Sequence, residues 1–169
     1  MLREGDVSLR PLKDEDKSVL SALANNKKIA DNLRDAFPYP YKESDAEFFI
    51  GLSKKNNLPT NLAIEYKGEF SGVIGLTKQE DVYCNTAEIG YWIGERYWNN
   101  GIATVAVKLM TEYGFSNLEF IRIHTGIFAY NTASMRVLEK NGYEKEGVFK
   151  RGVFKNGEIW DEHRFAKLK

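Results

Sequence analysis

The stretch WNNGIATVAVKLM, Trp98–Met110, decides how the rest of the chain is read. Gly101 stands at the start of a strongly periodic segment, and no lysine, aspartate or histidine sits beside it in the loop. Ile102, Val105, Ala106, Leu109, Met110 and Tyr113 recur at i, i+3, i+4, i+7, i+8 and i+11, the pattern of an amphipathic helix. The start of a helix leaves about four N–H groups without partners, with the positive end of the helix dipole behind them. That combination is an anion site, and a glycine lets the backbone come close to a phosphate. The Gly-Lys-Ser/Thr of nucleotide-hydrolase loops is absent, and one glycine stands where a dinucleotide fingerprint needs three. Taken alone, the stretch reads equally well as a turn glycine opening a core helix.

Working outward, NLAIEY (61–66), FSGVIGLTKQ (70–79) and TAEIGYWI (86–93) are rich in β-branched and aromatic residues and predict three successive strands. Lys67-Gly68-Glu69 is a hairpin turn between the first two. After the helix, FIRIHTGIF (120–128) predicts a strand and NTASMRVLEKNGY a short helix, with Asn131 at its start and Gly142 just past its end. Two last strands, near Val148–Phe154 and Glu158–Lys167, are joined by Asn156-Gly157. Upstream, VSLRPL (Val7–Leu12) alternates as a strand. A helix follows with Val19, Leu20, Leu23 and Ala24 on one face, and Ser44 with Glu47 at capping-box spacing predicts the start of another. The order β-α-α-β-β-β-α-β-α-β-β predicts an α+β fold, a mixed sheet with helices on both faces, and argues against a doubly wound sheet.

The 169 residues suit one domain, 1–169, and 43% hydrophobic residues suffice for a core. Lys plus Arg equals Asp plus Glu at 24 each, so nothing in the net charge favours direct nucleic-acid binding. The charged start MLREGDVSLR lacks a signal-peptide core, and no apolar run approaches the roughly 18 residues of a membrane span. A cytoplasmic protein without membrane association is expected. Cys84 is the one cysteine, which excludes an intrachain disulfide, and no Cys/His metal spacing occurs.

The stretch AEIGYWIGERYWNNGIAT, Ala87–Thr104, followed by IHTGIFAYNTASMRVLEKNGYEKEG, resembles the GNAT superfamily of acyl-CoA-dependent N-acetyltransferases. Within it the chain is similar to the Rim-type branch, which acetylates N-termini of ribosomal proteins. Gly101-Ile-Ala-Thr matches half of the family's loop pattern, and Trp98 replaces its Gln/Arg. The resemblance implies a GNAT-like, centrally splayed sheet, with acetyl-CoA as cosubstrate. It implies that backbone N–H groups of Asn99, Asn100, Gly101, Ile102, Ala103 and Thr104 hold the coenzyme A pyrophosphate. Trp92 and Ile93 fall at the pantetheine positions, with the Ile93 N–H donating to the thioester carbonyl. Asn131 and Ser134 match an N-x-x-S on the pantetheine side; helix capping is the alternative reading for them.

For catalysis the resemblance implies Glu88 as general base and Ser134 as the hydroxyl nearest the general-acid position. The tyrosine that many members carry there is Leu138 here, and Tyr130 is a weaker substitute. A solvated strand carboxylate is the alternative for Glu88. Arg34, Asp35 and Tyr39, with Phe37 and Tyr41, fit the acceptor wall, against ordinary loop packing. His124 reads as a satisfied strand histidine sooner than a base, His163 and Asp161 as an exposed hairpin pair sooner than residues reaching the site from the last strand, and Arg136 and Lys140 as phosphate contacts or solvated charges. The expected activity is direct acetyl transfer to a primary amine in a ternary complex, by a monomer or homodimer, with no metal. A protein N-terminus suits a weakly equipped site, because an α-amine costs about 3.5 kcal/mol less than lysine to deprotonate at neutral pH. A small-molecule amine and an acyl-CoA-binding module without transfer are the alternatives.

Overall fold

The computed structural model describes residues 2–55 and 59–169. Its elements are β1 (Leu2–Glu4), β2 (Val7–Pro11), α1 (Lys17–Ala24), α2 (Lys27–Ala30), α3 (Glu43–Ser53), β3 (Asn61–Tyr66), β4 (Glu69–Lys78), β5 (Thr86–Ile93), α4 (Ile102–Ser116), β6 (Arg122–Phe128), α5 (Thr132–Lys140), β7 (Glu144–Lys155) and β8 (Glu158–Leu168). The fold is α+β with a mixed sheet, as expected. Contacts divide it into two interleaved units, Met1–Gly75 with Tyr91–Met110 and Leu76–Gly90 with Thr111–Lys169.

In the first unit the strand order is β1-β2-β3-β4-β5. α1 and α3 bury Leu20, Ala24, Ala46 and Ile50 against Ala63, Phe70 and Val73 of the sheet. Beneath them Arg10 of β2 makes a two-pronged bond to Asp16, 2.7 Å on each arm, and reaches Glu65 of β3 at 2.6 Å. Gly72 lies where β4 meets β5 closely: a Cβ there would overlap the Trp92 carbonyl oxygen and sit 3.1 Å from Ile93 Cα.

In the second unit the order is β4-β5-β6-β8-β7. β5 and β6 are parallel, joined by the crossover through α4, but their ladder has three rungs only: Thr86↔Arg122, Ala87↔Ile123 and Glu88↔His124. β6 goes on to Phe128, paired with β8 throughout. Gly114 of α4 sits against Leu76 and Ile123, where a Cβ would come within 2.7 and 2.8 Å of their methyls. Tyr143, after the C-terminal turn of α5, is buried with its hydroxyl 2.7 Å from Thr111.

Three local expectations change. The charged N-terminus, to which the sequence pattern assigns no element, forms a strand: Leu2–Glu4 pairs with β2 across a two-residue Gly5-Asp6 turn. Asn26 accepts from the Lys28 N–H and starts the extra short helix α2. α3 begins earlier than Ser44, because the shorter Asp45 carboxylate reaches back to the Lys42 N–H at 2.8 Å. No helix among the described residues is long and apolar enough to cross a membrane.

Candidate functional site

The loop before α4 belongs to the first unit and is braced by its own side chains. Gly94 N–H bonds Ser71 O at 2.8 Å and holds the end of β5 to β4. Buried Tyr97 donates to Glu69 at 2.9 Å and receives Arg96 at 2.7 Å. Trp98 turns its indole N–H back to the Ile93 carbonyl at 2.7 Å. The Asn100 side chain donates to the carbonyls of Tyr97 and Trp98, both at 3.0 Å. Asn99 and Gly101 have φ of 65° and 73°, so the chain passes twice through the left-handed region. Asn tolerates that conformation better than most residues and glycine adopts it without strain.

The result is an exposed turn, Asn99–Gly101, leading into a helix whose first residue, Ile102, is buried. The Gly101 carbonyl takes the N–H groups of Thr104 and Val105 at 3.1 and 3.3 Å. Among the described residues no backbone acceptor meets the N–H groups of Ile102 or Ala103. Nothing lies within 4 Å of where a Gly101 Cβ would be, and the first turn of α4 carries no acidic residue. Glu95, six residues upstream, is held away by Lys28 and by Asn26 at 2.7 Å, and the Lys28 bond keeps its carboxyl below the usual range. Open space beside Gly101, two N–H groups without a backbone acceptor, a positive dipole end and a neighbouring carboxylate paired with Lys28 suit a phosphate-type anion.

The other candidates fall as follows. Trp92 is half-buried among Phe37, with ring centroids 6.2 Å apart, and Phe70 at 6.5 Å; Ile93 is buried. Phe37 also packs on Tyr41 at 5.0 Å, and Tyr41 is core, its hydroxyl pushed up to about 12 by burial and by the Asp45 charge. Phe37 is half-buried and Tyr41 buried, while Arg34, Asp35 and Tyr39 are exposed. In the second unit Asn131 caps α5 by accepting the Ser134 N–H at 3.2 Å, so its capping role is present. Leu138 is fully buried, and Tyr130 stacks edge-on against Trp160 at 4.9 Å. Arg136 and Lys140 are exposed. His163 is not a solvated hairpin residue: its Nδ1 is buried, without a hydrogen-bond partner among the described residues, while Asp161 accepts the Arg151 N–H at 2.7 Å.

Glu88 stands on the last rung of the β5–β6 ladder, opposite His124. The face they share carries an open groove of about 520 Å³ that includes Thr86, Arg122, His124, Glu146, Phe149 and Arg164. Two ion pairs run along it, Arg122–Glu146 and Arg164–Glu162, the latter at 2.9 Å. The second lies flat across β6 at Gly126, where a Cβ would overlap the Glu162 carboxylate and come within 2.6 Å of Arg164 Nη1. The sequence reading passed over Gly72 and Gly126; a lone glycine inside a strand pattern is the signal for such close approach. Among the described residues no cluster of three or more acidic, His or Cys side chains is placed to hold a metal.

The model of the acetyltransferase (GNAT) domain family matches residues 6–144. The probable N-acetyltransferase YjcK of Bacillus subtilis is 43% identical over 83 residues, 49% of this chain and 45% of the relative, so that match spans about half the length of either. The spermidine N(1)-acetyltransferase of Escherichia coli K12 is 29% identical over 143 residues, 81% of this chain and 72% of the relative. Among solved structures, a GNAT-family acetyltransferase from Bacillus anthracis superposes with a TM-score of 0.85 at 25% identity, covering 99% of this chain and 97% of that one. The ribosomal L7/L12 α-N-protein acetyltransferase RimL, solved with coenzyme A, has the same fold at a TM-score of 0.84 and 23% identity, covering 98% and 95%.

Proposed function

This chain belongs to the GNAT acetyltransferase family, and on that premise we propose that it transfers the acetyl group of acetyl-CoA directly to a primary amine in a ternary complex. The observation that supports this most is the start of α4, where the Ile102 and Ala103 N–H groups have no backbone acceptor among the described residues and the space beside Gly101 is open. The backbone of Asn99–Thr104 holds the pyrophosphate of the cosubstrate, and Trp92 and Ile93 take the pantetheine arm. The pantetheine arm lies along β5 as an added extended segment. Asn131 and Ser134 contribute on the pantetheine side.

Transfer forms a C–N bond to the amine and breaks the C–S bond of the thioester. Glu88 takes the proton the amine sheds, the Ile93 N–H donates to the carbonyl oxygen as negative charge grows there, and Ser134 supplies a proton path to the departing thiolate. No covalent acetyl-enzyme is needed: the one cysteine, Cys84, is exposed and outside every element named here. Residues 1–169 act as one acetyltransferase domain. The cytoplasm, where acyl-CoA thioesters are held, is the proposed location.

The acceptor is a protein α-amine or a small polyamine. The first is favoured by the likeness to RimL, whose substrate is a ribosomal protein N-terminus, and by the lower cost of deprotonating an α-amine. The second is favoured by the likeness to the spermidine enzyme. Arg34, Asp35 and Tyr39, exposed in one loop, orient that acceptor. Incubation with acetyl-CoA and a panel of N-terminal peptides, lysine peptides and polyamines, read by free-thiol release and product mass, tests the proposal. A mass increase of one acetyl on one amine class supports it; thiol release with no amine, or no product from any, contradicts it.

A further inference from the structure

On the face of the second unit four charged or titratable side chains stand in line across three strands: Glu162 and Arg164 on β8, His124 on β6 and Glu88 on β5. Arg164 Nη1 is 2.9 Å from Glu162, and Arg164 Nη2 is 3.1 Å from His124 Nδ1. The arginine is largely buried, with its guanidinium 5.3 Å over the ring of Phe149 and its partner carboxylate laid across Gly126. It is not free to swing away.

A guanidinium has only donors. Nδ1 of His124 is therefore the acceptor in this contact, and the ring carries its single proton on Nε2. A second proton would have to displace Arg164 and would place an imidazolium against it and against Arg122. We propose that His124 is a positioning residue for acetyl transfer: the Arg164 bond fixes it as a neutral, Nε2-protonated ring beside Glu88, so that no imidazolium competes with the incoming amine for the Glu88 carboxylate. The inference rests on the role proposed above for Glu88. Were the ring an imidazolium, it would pair with Glu88 across the rung and lower its basicity. Among the described residues the charged groups acting on His124 are Arg164 on β8, with Glu162 bonded to it, Arg122 on its own strand, Glu146 on β7 and Glu88 on β5. Burial, then the Arg164 charge, push the ring below its usual range, and Glu88 pulls the other way without prevailing.

The chain has two histidines, so the ring state can be read directly in the whole protein labelled with ¹⁵N-histidine. His124→Asn identifies the resonance. The unsubstituted protein is expected to show His124 as the neutral Nε2–H tautomer with a midpoint below the ordinary 6.5 or so. Arg164→Met should raise that midpoint by ~1 pH unit, the usual scale of such environmental shifts, and mix the tautomers. The acid limb of kcat/KM for the amine should move up by the same amount. Glu162→Gln, which loosens Arg164 and leaves its volume in place, should do the same in smaller measure. An Nδ1–H tautomer or an ordinary midpoint in the unsubstituted protein overturns the proposal. So does an acid limb that stays put while the midpoint moves. A protein with the stated tautomer but no transfer to any amine overturns the role of Glu88 instead, and the two failures are distinct.

Discussion

Trp98 donates its indole N–H to the carbonyl of Ile93 across 2.7 Å, and so ties the residue that opens the phosphate-type loop to the last residue of β5. The two ends of the proposed cosubstrate site, the Ile93 N–H and the amides after Gly101, are thereby set at a fixed spacing within one unit. Trp98→Phe removes one bond worth about 1 kcal/mol and keeps most of the ring. The expected outcome is about fivefold weaker coenzyme A binding by calorimetry, with a smaller change in thermal stability. Unchanged affinity would mean that the brace plays no part in binding.

Gly101→Ala separates conformation from contact. Nothing is near the new methyl, so any cost comes from the φ of 73°, about 1–2 kcal/mol for a non-glycine residue. The variant should fold, lose about that much stability in urea, and bind coenzyme A roughly tenfold more weakly as the helix start rotates away. Gly72→Ala should be far more damaging, since its methyl meets a main-chain carbonyl that cannot give way.

Much of this was legible before the structure. The turns at Lys67-Gly68 and Asn156-Gly157, the helix after Gly101 and the cap at Asn131 all depend on neighbours within a few residues, and each lies where its local pattern put it. The N-terminal β1 was not legible because a three-residue strand carries almost no periodicity and is held by its partner alone. The helix start at Glu43 depended on which of two nearby acids reached back, a matter of side-chain length rather than spacing. The site divided the same way. The loop was visible as a glycine at a helix start. The line from Glu162 to Glu88 was not, because its members come from three strands brought together by register, and only Gly126 hinted at it.

Glu88→Gln keeps shape and removes the proposed base; Ser134→Ala removes the hydroxyl and spares the backbone N–H that Asn131 accepts. Each should lower kcat by about 10²–10⁴ for Glu88 and less for Ser134, with the affinity for coenzyme A unchanged. Steady-state rates beside calorimetry on the same preparations check this. Normal rates in both would remove these two residues from the chemistry.

The Arg10–Asp16 pair predicts an acid-linked loss of stability. Burial alone would raise Asp16, but the two-pronged Arg10 bond and the Lys13 N–H outweigh it, so its carboxyl lies below the usual range. A depressed carboxylate contributes stability above its unfolded value of about 3.9 and loses it as pH falls through the folded value. Asp16→Asn should therefore cost about 3 kcal/mol at neutral pH, and the gap to the unsubstituted protein should begin to narrow at about pH 4 and close only below the depressed folded value. Urea melts at several pH values would show a gap that does not narrow if the pairing were unimportant.

Main-chain donors at the start of α4 are proposed to bind the diphosphate of coenzyme A. Amide ¹H–¹⁵N spectra recorded while coenzyme A is titrated into the protein test it most directly. The account predicts saturable shifts whose largest members are Gly101, Ile102 and Ala103, with the same three amides moving when inorganic pyrophosphate is used instead. Shifts confined to other parts of the chain, or none at millimolar ligand, would contradict it.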